Sequence, residues 1–350
     1  MSIRPKSLKI LAIETSCDDT GIALVECGGG LRKPSFKVLA EAVSSQIDVH
    51  RPFGGVVPNL AKREHIKNLP IVYEKILQKL KIKNSKFEID CVAVTVGPGL
   101  EPALWTGINF AENLSKELNI PVVGANHLEG HIFSNWLPPI GKLPKFPAVI
   151  LIVSGGHTIL LLMESITKWK ILGETRDDAV GEAFDKVARM LNLPYPGGPE
   201  VEKLATKFRN LIPFPRPMMH EKNYDFSFSG LKTSVLYYIR DNKPSAISHK
   251  QFAANICASF QQAVVDVLVY KTTKAVEEFK AKSILLCGGV AANKFLQKQL
   301  LAMSHKLSAN FHVPPFKYNT DNAVMIAAGA YFNYLQGKKY PLEANGNLSL

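Results

Sequence analysis

Two stretches of the chain share one pattern of apolar and polar positions: an apolar run, a short polar loop and a second apolar run. The first comprises the runs 8–14 and 21–25 around the loop 15–20, and the second comprises the runs 146–153 and 159–163 around the loop 154–158. Aliphatic and β-branched runs of this length, bounded by turn residues, predict strands. The pattern therefore predicts two strand–loop–strand units, one in each half of the chain.

Each unit is followed, further along the chain, by a third strand, a glycine turn and a helix. The segments are 91–96, 97–99 and 103–118 in the first half, and 283–287, 288–289 and 291–301 in the second. Such a turn presents backbone N–H groups and a helix N-terminus at the carboxyl edge of a sheet, where nucleotides and phosphates bind in open α/β sheets. Apolar periodicity predicts further helices at 60–80, 251–279 and 321–335.

Strands that alternate with helices, in a plan that occurs twice, predict an α/β protein of two duplicated lobes with mixed β-sheets flanked by helices. The N-terminal lobe is expected at 1–136 and the C-terminal lobe at 145–320, with an insertion at about 195–245. A closing helix at about 321–337 is expected to pack back on the first lobe. This doubled plan resembles the actin-like ATPase (ASKHA) superfamily, and the resemblance implies two lobes closed around an adenine nucleotide.

The composition is that of a soluble globular protein, with 46% hydrophobic and 21% charged residues among 350. Because neither a signal-peptide core nor a membrane segment is evident, we expect a cytoplasmic protein without a membrane partner. The 42 basic and 30 acidic residues give a net charge of +12, which favours polyanionic partners without establishing one. The five cysteines contain no CxxC pair, which argues against a zinc ribbon or a disulfide framework.

The sharpest local feature is the motif HLEGH, in which His127 and His131 are four residues apart. On a helix, such histidines share one face and are close enough to hold one metal ion. In the zinc metalloprotease motif, H-E-x-x-H, the glutamate directly follows the first ligand. Glu129 is instead two residues from each histidine, about 200° around the helix, where it is a poor general base for that metal. This spacing disfavours a metalloprotease.

A third ligand is offered by Asp321, which directly precedes the apolar helix near the C-terminus. The alternative is that Thr320 or Asp321 caps that helix, and the residues alone do not decide between the two roles. Two imidazoles and one carboxylate with open positions suit iron(II) or zinc. Asp18 and Asp19, in the first polar loop, remain open between a magnesium or phosphate site and simple turn formation.

Nine short motifs, in order along 8–334, make the sequence similar to the universal tRNA N6-threonylcarbamoyladenosine family, in its bacterial TsaD branch. They are ETSCDDT (14–20), GPGL (97–100), HLEGH (127–131), VSGGHT (153–158), DDAVGEAFDK (177–186), YPGGP (195–199), FSFSGLKT (226–233), GGVAAN (288–293) and TDNA (320–323). Each motif is short, but nine in family order over nearly the whole chain are specific.

The resemblance implies a transferase. Members move the threonylcarbamoyl group of threonylcarbamoyl-adenylate to the exocyclic amine of adenosine 37, in tRNAs that read codons starting with A, and release AMP. The resemblance assigns His127, His131 and Asp321 to one divalent metal, iron(II) ahead of zinc, and allows magnesium to accompany a bound nucleotide. The alternative is an actin-like small-molecule kinase, which would need no histidine pair.

The resemblance also assigns an adenylate site by position. Its residues are Ile152, Val153, Ser154, Gly155, Gly156, Asp185, Gly198 and Asn293. Asp185 is suited to accept hydrogen bonds from ribose hydroxyls, glycines let backbone N–H groups approach a ligand, and Asn293 is expected to hold adenosine. We expect no covalent nucleophile, because AMP is a good leaving group and positioning and electrostatics suffice.

The partners that the resemblance implies are tRNA, a TsaB-like paralogue of the same fold and a small TsaE-like ATPase, with a separate enzyme supplying the adenylate. The branch also has mitochondrial members, so the mitochondrial matrix, with a transit segment removed, is the alternative compartment. One departure from the family pattern is Asn59, where the family commonly has the glutamate of PELASR. This departure leaves one detail of the site open.

Overall fold

The computed structural model describes residues 7–81, 88–139, 143–205, 212–242 and 249–350. The chain forms two compact units: unit 1 comprises Met1–Leu143 with Pro314–Leu350, and unit 2 comprises Pro144–Val313. Each unit contains a five-stranded mixed sheet. Residues 206–211 and 243–245 of the predicted insertion lie outside the described residues.

The strands in the described residues are β1 (Leu8–Glu14), β2 (Asp19–Gly28), β3 (Ser35–Ser45), β4 (Cys91–Gly97), β5 (Val122–Asn126), β6 (Ala148–Val153), β7 (Thr158–Ser165), β8 (Lys168–Glu174), β9 (Ser283–Cys287) and β10 (Asn310–His312). The helices are α1 (Ile47–His50), α2 (Pro58–Lys79), α3 (Glu101–Leu118), α4 (His127–Phe133), α5 (Val180–Met190), α6 (Gly197–Ala205), α7 (Ser229–Asp241), α8 (His249–Glu278), α9 (Lys294–Lys306) and α10 (Ala323–Gln336).

The sheet of unit 1 has the strand order β3-β2-β1-β4-β5. β1, β2 and β3 pair antiparallel, whereas β1, β4 and β5 run parallel, so the carboxyl ends of these three strands meet at one edge. Helices α2 and α3 pack against each other, and α10 packs on β1, β2 and α4. Because β1 and β4 are covered on both faces, each forms a nearly continuous apolar run.

The sheet of unit 2 has the order β10-β9-β6-β7-β8. β6, β7 and β8 pair antiparallel, and β6, β9 and β10 run parallel. The carboxyl ends of β6 and β9 are therefore neighbours, with Ile152 paired to Cys287. Helices α5, α6, α8 and α9 surround a core that contains Phe184, Phe260 and Leu286.

One helix among the described residues, α8, is long and apolar enough by length and composition to cross a membrane. Of its most apolar 18-residue window, 67% is buried inside the structure. Phe260, Val264 and Leu268 of this helix lie in the core of unit 2. Such burial is typical of the core helix of a globular unit, and a single helix of this kind is weak evidence for a membrane span.

The sequence pattern predicts the central strands of both sheets but not β3, β5, β8 and β10. These four strands are the edges of the two sheets, where one side of the strand is unpaired and apolar runs are short or interrupted. The stretch predicted as an insertion contains α6 and α7, and its residues Val201 and Phe226 belong to the core of unit 2. The helix predicted to begin at 291 begins at Lys294, because Gly289–Ala292 forms a 3-10 turn.

Candidate metal centre and adenylate site

Helix α4 begins where β5 ends, at the carboxyl edge of the sheet of unit 1. Asn126 is both the last residue of β5 and the N-cap of α4, because its Oδ1 accepts hydrogen bonds from the backbone N–H groups of Leu128 (2.8 Å) and Glu129 (3.3 Å). This cap and close packing stabilise a helix of seven residues, which is too short to be stable alone. All seven residues are buried, so both histidines are held in a packed environment.

The structure brings together the side chains of His127, His131 and Asp321. The Nε2 atoms of His127 and His131 lie 3.5 Å and 3.3 Å from Oδ1 of Asp321. One ligand atom from each of the three residues lies within 4.8 Å of the others, and no other group of this kind occurs in the described ranges. Neither Thr320 nor Asp321 caps α10, because the cap is Asn322, whose Oδ1 accepts the N–H of Met325 at 2.9 Å.

Glu14, the last residue of β1, supports His127 from behind. Oε2 of Glu14 lies 3.1 Å from Nδ1 of His127 and accepts a hydrogen bond from Oγ1 of Thr95 at 2.7 Å. Its Oε1 accepts the backbone N–H of Ser16 at 2.5 Å. A carboxylate that binds Nδ1–H fixes the orientation of the imidazole and leaves Nε2 for a metal. No role for Glu14 follows from the sequence pattern, although its position at the end of the first predicted strand is the available signal.

Negative charge dominates the surroundings of the two histidines. Burial by itself lowers the pKa of His127, but the carboxylates of Asp321 and Glu14 outweigh it and raise that pKa to about 9. Burial lowers the pKa of His131. Burial is also the main cause of the raised pKa of Asp19, which reaches about 7, and the carboxylates of Asp18 and Asp321 add to it. A bound cation would relieve this accumulation of carboxylates.

His131 carries the clearest sign that a further group belongs at this site. Its side chain is fully buried, Nδ1 has no hydrogen-bond partner among the described residues, and Nε2 lies 3.3 Å from Oδ1 of Asp321 without a well-formed hydrogen bond. Poorly satisfied buried nitrogens cost free energy, and a cation held by Nε2 and the carboxylate of Asp321 would lower that cost. Two imidazoles and a carboxylate are a donor set for iron(II) or zinc, so these residues fit such a metal.

Glu129 lies between the two histidines in the sequence, but its side chain contacts other residues of unit 1 and not the metal ligands. Its carboxylate accepts hydrogen bonds from Asn333, Lys338 and Tyr340, which lie on α10 and in the segment that follows it. It is therefore engaged in three contacts within unit 1. This agrees with the exclusion of a metalloprotease on the spacing of HLEGH.

In unit 2, β6 ends at Val153 and a short loop turns the chain into β7. The backbone N–H of Ser154 donates to the carbonyl of His157 at 2.8 Å, and Oγ of Ser154 accepts the N–H of His157 at 3.1 Å. Gly155 and Gly156 form the tip of this turn; both are exposed, and a Cβ on either would meet no atom within 4 Å. The turn thus presents bare backbone to open space, as expected of a loop that binds a ligand through N–H groups.

Two further glycines pack against this loop. A Cβ on Gly181, at the start of α5, would lie 2.5 Å from the carbonyl oxygen of Ser154. A Cβ on Gly288, whose φ is +91°, would lie 2.4 Å from the carbonyl oxygen of Val153. Only glycine fits at both positions. Ile152 and Val153 are themselves completely buried, main chain included, within the sheet and core of unit 2.

The other residues that the resemblance assigns to an adenylate lie on α5, on α6 and at the N-cap of α9. Oδ1 of Asp185 accepts the N–H of Gly197 at 2.7 Å, and a Cβ on the adjacent Gly198 would meet no atom within 4 Å. The side chain of Asn293 is used within the chain: Oδ1 caps α9 at the N–H of Leu296, and Nδ2 donates to Gln261, both at 2.8 Å. The structure therefore gives Asn293 a capping role in addition to the expected contact with adenosine.

Asp177 and Asp178 have contacts that the sequence does not reveal. Asp177 accepts hydrogen bonds from the hydroxyls of Ser227 (2.5 Å) and Ser229 (2.7 Å). Asp178 binds the ammonium groups of Lys186 (3.0 Å) and Lys232 (2.6 Å). The motifs DDAVGEAFDK and FSFSGLKT are thus tied together, and their spacing in sequence, about fifty residues, gives no sign of it.

The chain is similar in sequence to proteins of one family. The model of the family TsaD, tRNA N6-adenosine threonylcarbamoyltransferase, matches residues 37–328. A relative of that name from Thermosipho africanus is 46% identical over 348 residues, which cover 97% of this chain and 99% of the relative. Another, from Carboxydothermus hydrogenoformans, is 45% identical over 341 residues, covering 97% of each chain.

Solved structures at low identity share the fold. HypF from T. kodakarensis superposes with a TM-score of 0.60 at 15% identity, over 95% of this chain and 48% of that one, so this chain spans about half of HypF. The activator of 2-hydroxyisocaproyl-CoA dehydratase from Clostridium difficile, with bound ADPNP, gives 0.51 at 12% identity over 94% and 96% of the two chains. These similarities concern the fold alone, which is the actin-like ATPase (ASKHA) fold that the doubled pattern predicts.

Proposed function

The chain belongs to the TsaD family of tRNA N6-adenosine threonylcarbamoyltransferases, and from this membership we propose that it catalyses the acyl transfer of that family. The protein is a transferase of t6A biosynthesis. The amine of adenosine 37 attacks the carbamoyl carbon of threonylcarbamoyl-adenylate, the bond from that carbon to the phosphate oxygen breaks, the amine loses a proton and AMP leaves. The single observation that carries the assignment is the His127, His131 and Asp321 triad in a chain with this family match.

We assign the adenylate to unit 2. The exposed turn of Gly155 and Gly156 offers backbone N–H groups, and Gly198 leaves room beside Asp185. One oxygen of Asp185 is held by Gly197, which supports a fixed orientation for a carboxylate that accepts ribose hydroxyls. Asn293 contributes by fixing the start of α9 through its cap.

We assign one divalent metal to unit 1, iron(II) first and zinc second. The Nε2 atoms of His127 and His131 and an oxygen of Asp321 would hold it, and Glu14 orients His127. When bound, the metal would supply a positive charge that stabilises negatively charged oxygens. Magnesium accompanying a nucleotide is a separate proposal, for which the first loop offers the carboxylates of Asp18 and Asp19.

The partners beyond tRNA are proposals from the family: a TsaB-like paralogue and a TsaE-like ATPase. A net charge of +12 supports contact with tRNA phosphates. We expect tRNA affinity to fall steeply with salt, with a log–log slope of about 0.7–0.9 for each neutralised phosphate. An affinity in filter binding that does not change with salt concentration would contradict direct contact with tRNA phosphates.

The proposed compartment is the cytoplasm, with the mitochondrial matrix as the alternative, and fractionation of tagged protein decides between them.

Reconstitution tests the proposed reaction. The assay combines the protein, loaded with iron(II), with unmodified tRNA, threonine, bicarbonate, ATP, an adenylate-forming enzyme and both helper proteins, and detects t6A in digested tRNA by mass spectrometry. We expect t6A with native protein and none with Asp321→Asn. Absence of t6A from the complete native mixture would contradict the transferase. Transfer of the γ-phosphate of ATP to a small molecule, unaffected by Asp321→Asn, would instead favour the kinase.

A further inference from the structure

Glu129 is a fully buried carboxylate that the proposed chemistry does not use. Its Oε2 accepts a hydrogen bond from Nδ2 of Asn333 at 2.8 Å, and its Oε1 accepts from Nζ of Lys338 at 2.5 Å and the hydroxyl of Tyr340 at 3.0 Å. A buried charge is retained when its hydrogen bonds and an opposite charge compensate its desolvation. Here all three partners lie outside α4, so each bond ties α4 to another segment.

The first of these segments is α10. Asn333 lies on α10, and Asp321 directly precedes that helix. The two helices are also in close contact where a Cβ on Gly130 would lie 3.1 Å from side-chain atoms of Met325 and Ile326. The bond from Asn333 to Glu129 therefore fixes the helix that carries the two histidines against the helix that follows the third ligand.

The second segment is the C-terminal stretch 338–349. It supplies Lys338 and Tyr340 to Glu129, and further on the carbonyl of Ser349 accepts a hydrogen bond from Nδ2 of Asn126 at 2.9 Å. Asn126 is the residue that caps α4. The stretch thus contacts α4 at its cap and at its centre, through Glu129.

We propose that Glu129 is a positioning residue for the metal triad: it locks α4 to α10 and to the stretch 338–349, so that His127, His131 and Asp321 stay converged. The inference rests on the proposed metal site. It assigns a function to the middle residue of HLEGH that is neither metal ligation nor proton transfer. Its effect on the metal is indirect, because Glu129 is bonded to Asn333, Lys338 and Tyr340.

Cobalt(II) binding measures this effect without any dependence on activity. Metal-free protein is titrated with Co²⁺, and the dissociation constant and the d–d absorption band are recorded for native protein, Glu129→Ala and Tyr340→Phe. We expect a 10- to 100-fold weaker affinity and an altered band for Glu129→Ala, and a change of a few fold for Tyr340→Phe, which loses one of three bonds. Mutation of residues that hold metal ligands in place typically weakens metal affinity by about 10- to 100-fold.

The matched control is Leu114→Ala, in the core of unit 1 on α3. It is expected to lower the thermal midpoint as Glu129→Ala does, while leaving Co²⁺ affinity and the band of folded protein unchanged. Co²⁺ binding by folded Glu129→Ala within twofold of native, with the native band, would overturn the proposal. If Glu129→Ala does not fold, native-like Co²⁺ affinity in the pair Asn333→Leu and Tyr340→Phe would overturn it equally.

The Co²⁺ titrations distinguish failure of the positioning role from failure of the metal site. If His131→Ala abolishes Co²⁺ binding and Glu129→Ala does not weaken it, the triad stands and the positioning role fails. If native protein binds no Co²⁺, both the metal site and the positioning role fail.

Discussion

The two strand–loop–strand segments, one in unit 1 and one in unit 2, differ in the groups that they place after their first strand. At the end of β1 and directly after it, unit 1 buries polar side chains: Glu14, Thr15 and Ser16 are at most 2% exposed, and Glu14 and Ser16 both contact His127. After β6, unit 2 offers the exposed backbone of Gly155 and Gly156. One hairpin offers buried polar side chains and the other an exposed main chain. The scaffold sets where a ligand binds, while the loop residues decide which ligand it is.

The largest expected effect is the loss of metal binding in unit 1 when one ligand side chain is removed. His131→Ala removes one of two imidazoles at the metal site, so Co²⁺ affinity should fall more than 100-fold and t6A formation should drop to background. Isothermal titration and the tRNA assay measure both. The control is His305→Ala, an exposed histidine of α9 in unit 2, which should change neither. Native metal content in His131→Ala would place the metal elsewhere.

The next effect concerns the support behind His127. Glu14→Gln removes the charge that holds Nδ1–H, so metal affinity should weaken about 10- to 100-fold while the protein stays folded. Glu117→Gln, an exposed glutamate of α3, is the matched control. If Co²⁺ titration shows the two variants to be alike, the buried hairpin of unit 1 has no part in metal binding.

A pair of glycines tests the hairpin of unit 2. Gly155→Ala adds a methyl group in open space, so the thermal midpoint should stay unchanged while AMP binds about tenfold more weakly because the methyl blocks backbone approach. Gly181→Ala places a Cβ 2.5 Å from the carbonyl of Ser154 and should destabilise the protein by about 1–3 kcal/mol. Calorimetry and AMP titration distinguish the two. Unchanged AMP affinity in Gly155→Ala would exclude main-chain recognition at this turn.

The sequence predicted those features for which a residue pattern has a single structural explanation. Central strands, buried on both sides, show as continuous apolar runs, and two histidines four apart indicate a helical metal pair. The cap of α10 could not be predicted, because Thr320, Asp321 and Asn322 are all residue types that cap helices and only the fold selects Asn322. Asn59, the departure from the family pattern, lies exposed in the first turn of α2, so its effect depends on contacts that the sequence does not specify.

The long-range partners of Glu14 and Glu129 could not be predicted. Glu14 and His127 are separated by 113 residues, and Glu129 and Tyr340 by 211. The local pattern around Glu129 does not distinguish it from a solvated glutamate, and the position of Glu14 at the end of an apolar strand does not indicate its partner. Only the topology, which places the ends of β1 and β5 at one edge of the sheet and brings the C-terminal stretch back to α4, makes these partners neighbours.

The smallest expected effect concerns the stability of unit 2 and a buried lysine that lies outside both loops. Lys271 of α8 is fully buried, donates to the carbonyl of Asn223, and has a pKa that burial lowers to about 8. The folded state therefore binds fewer protons than the unfolded state between about pH 8 and the ordinary lysine pKa of 10.5. Native protein should gain about 1–3 kcal/mol relative to Lys271→Met as pH rises through that window. Parallel denaturant curves for both would contradict this.

Metal removal tests the central account most directly. Protein stripped by a chelator is mixed with threonylcarbamoyl-adenylate, unmodified tRNA and both helper proteins, and t6A and AMP are quantified before and after iron(II) or zinc is restored. We predict equal amounts of t6A and AMP from the metal-loaded protein, background levels from the stripped protein, and recovery only when His127, His131 and Asp321 are intact. Full transfer by stripped protein, or recovery in His131→Ala, would contradict the account.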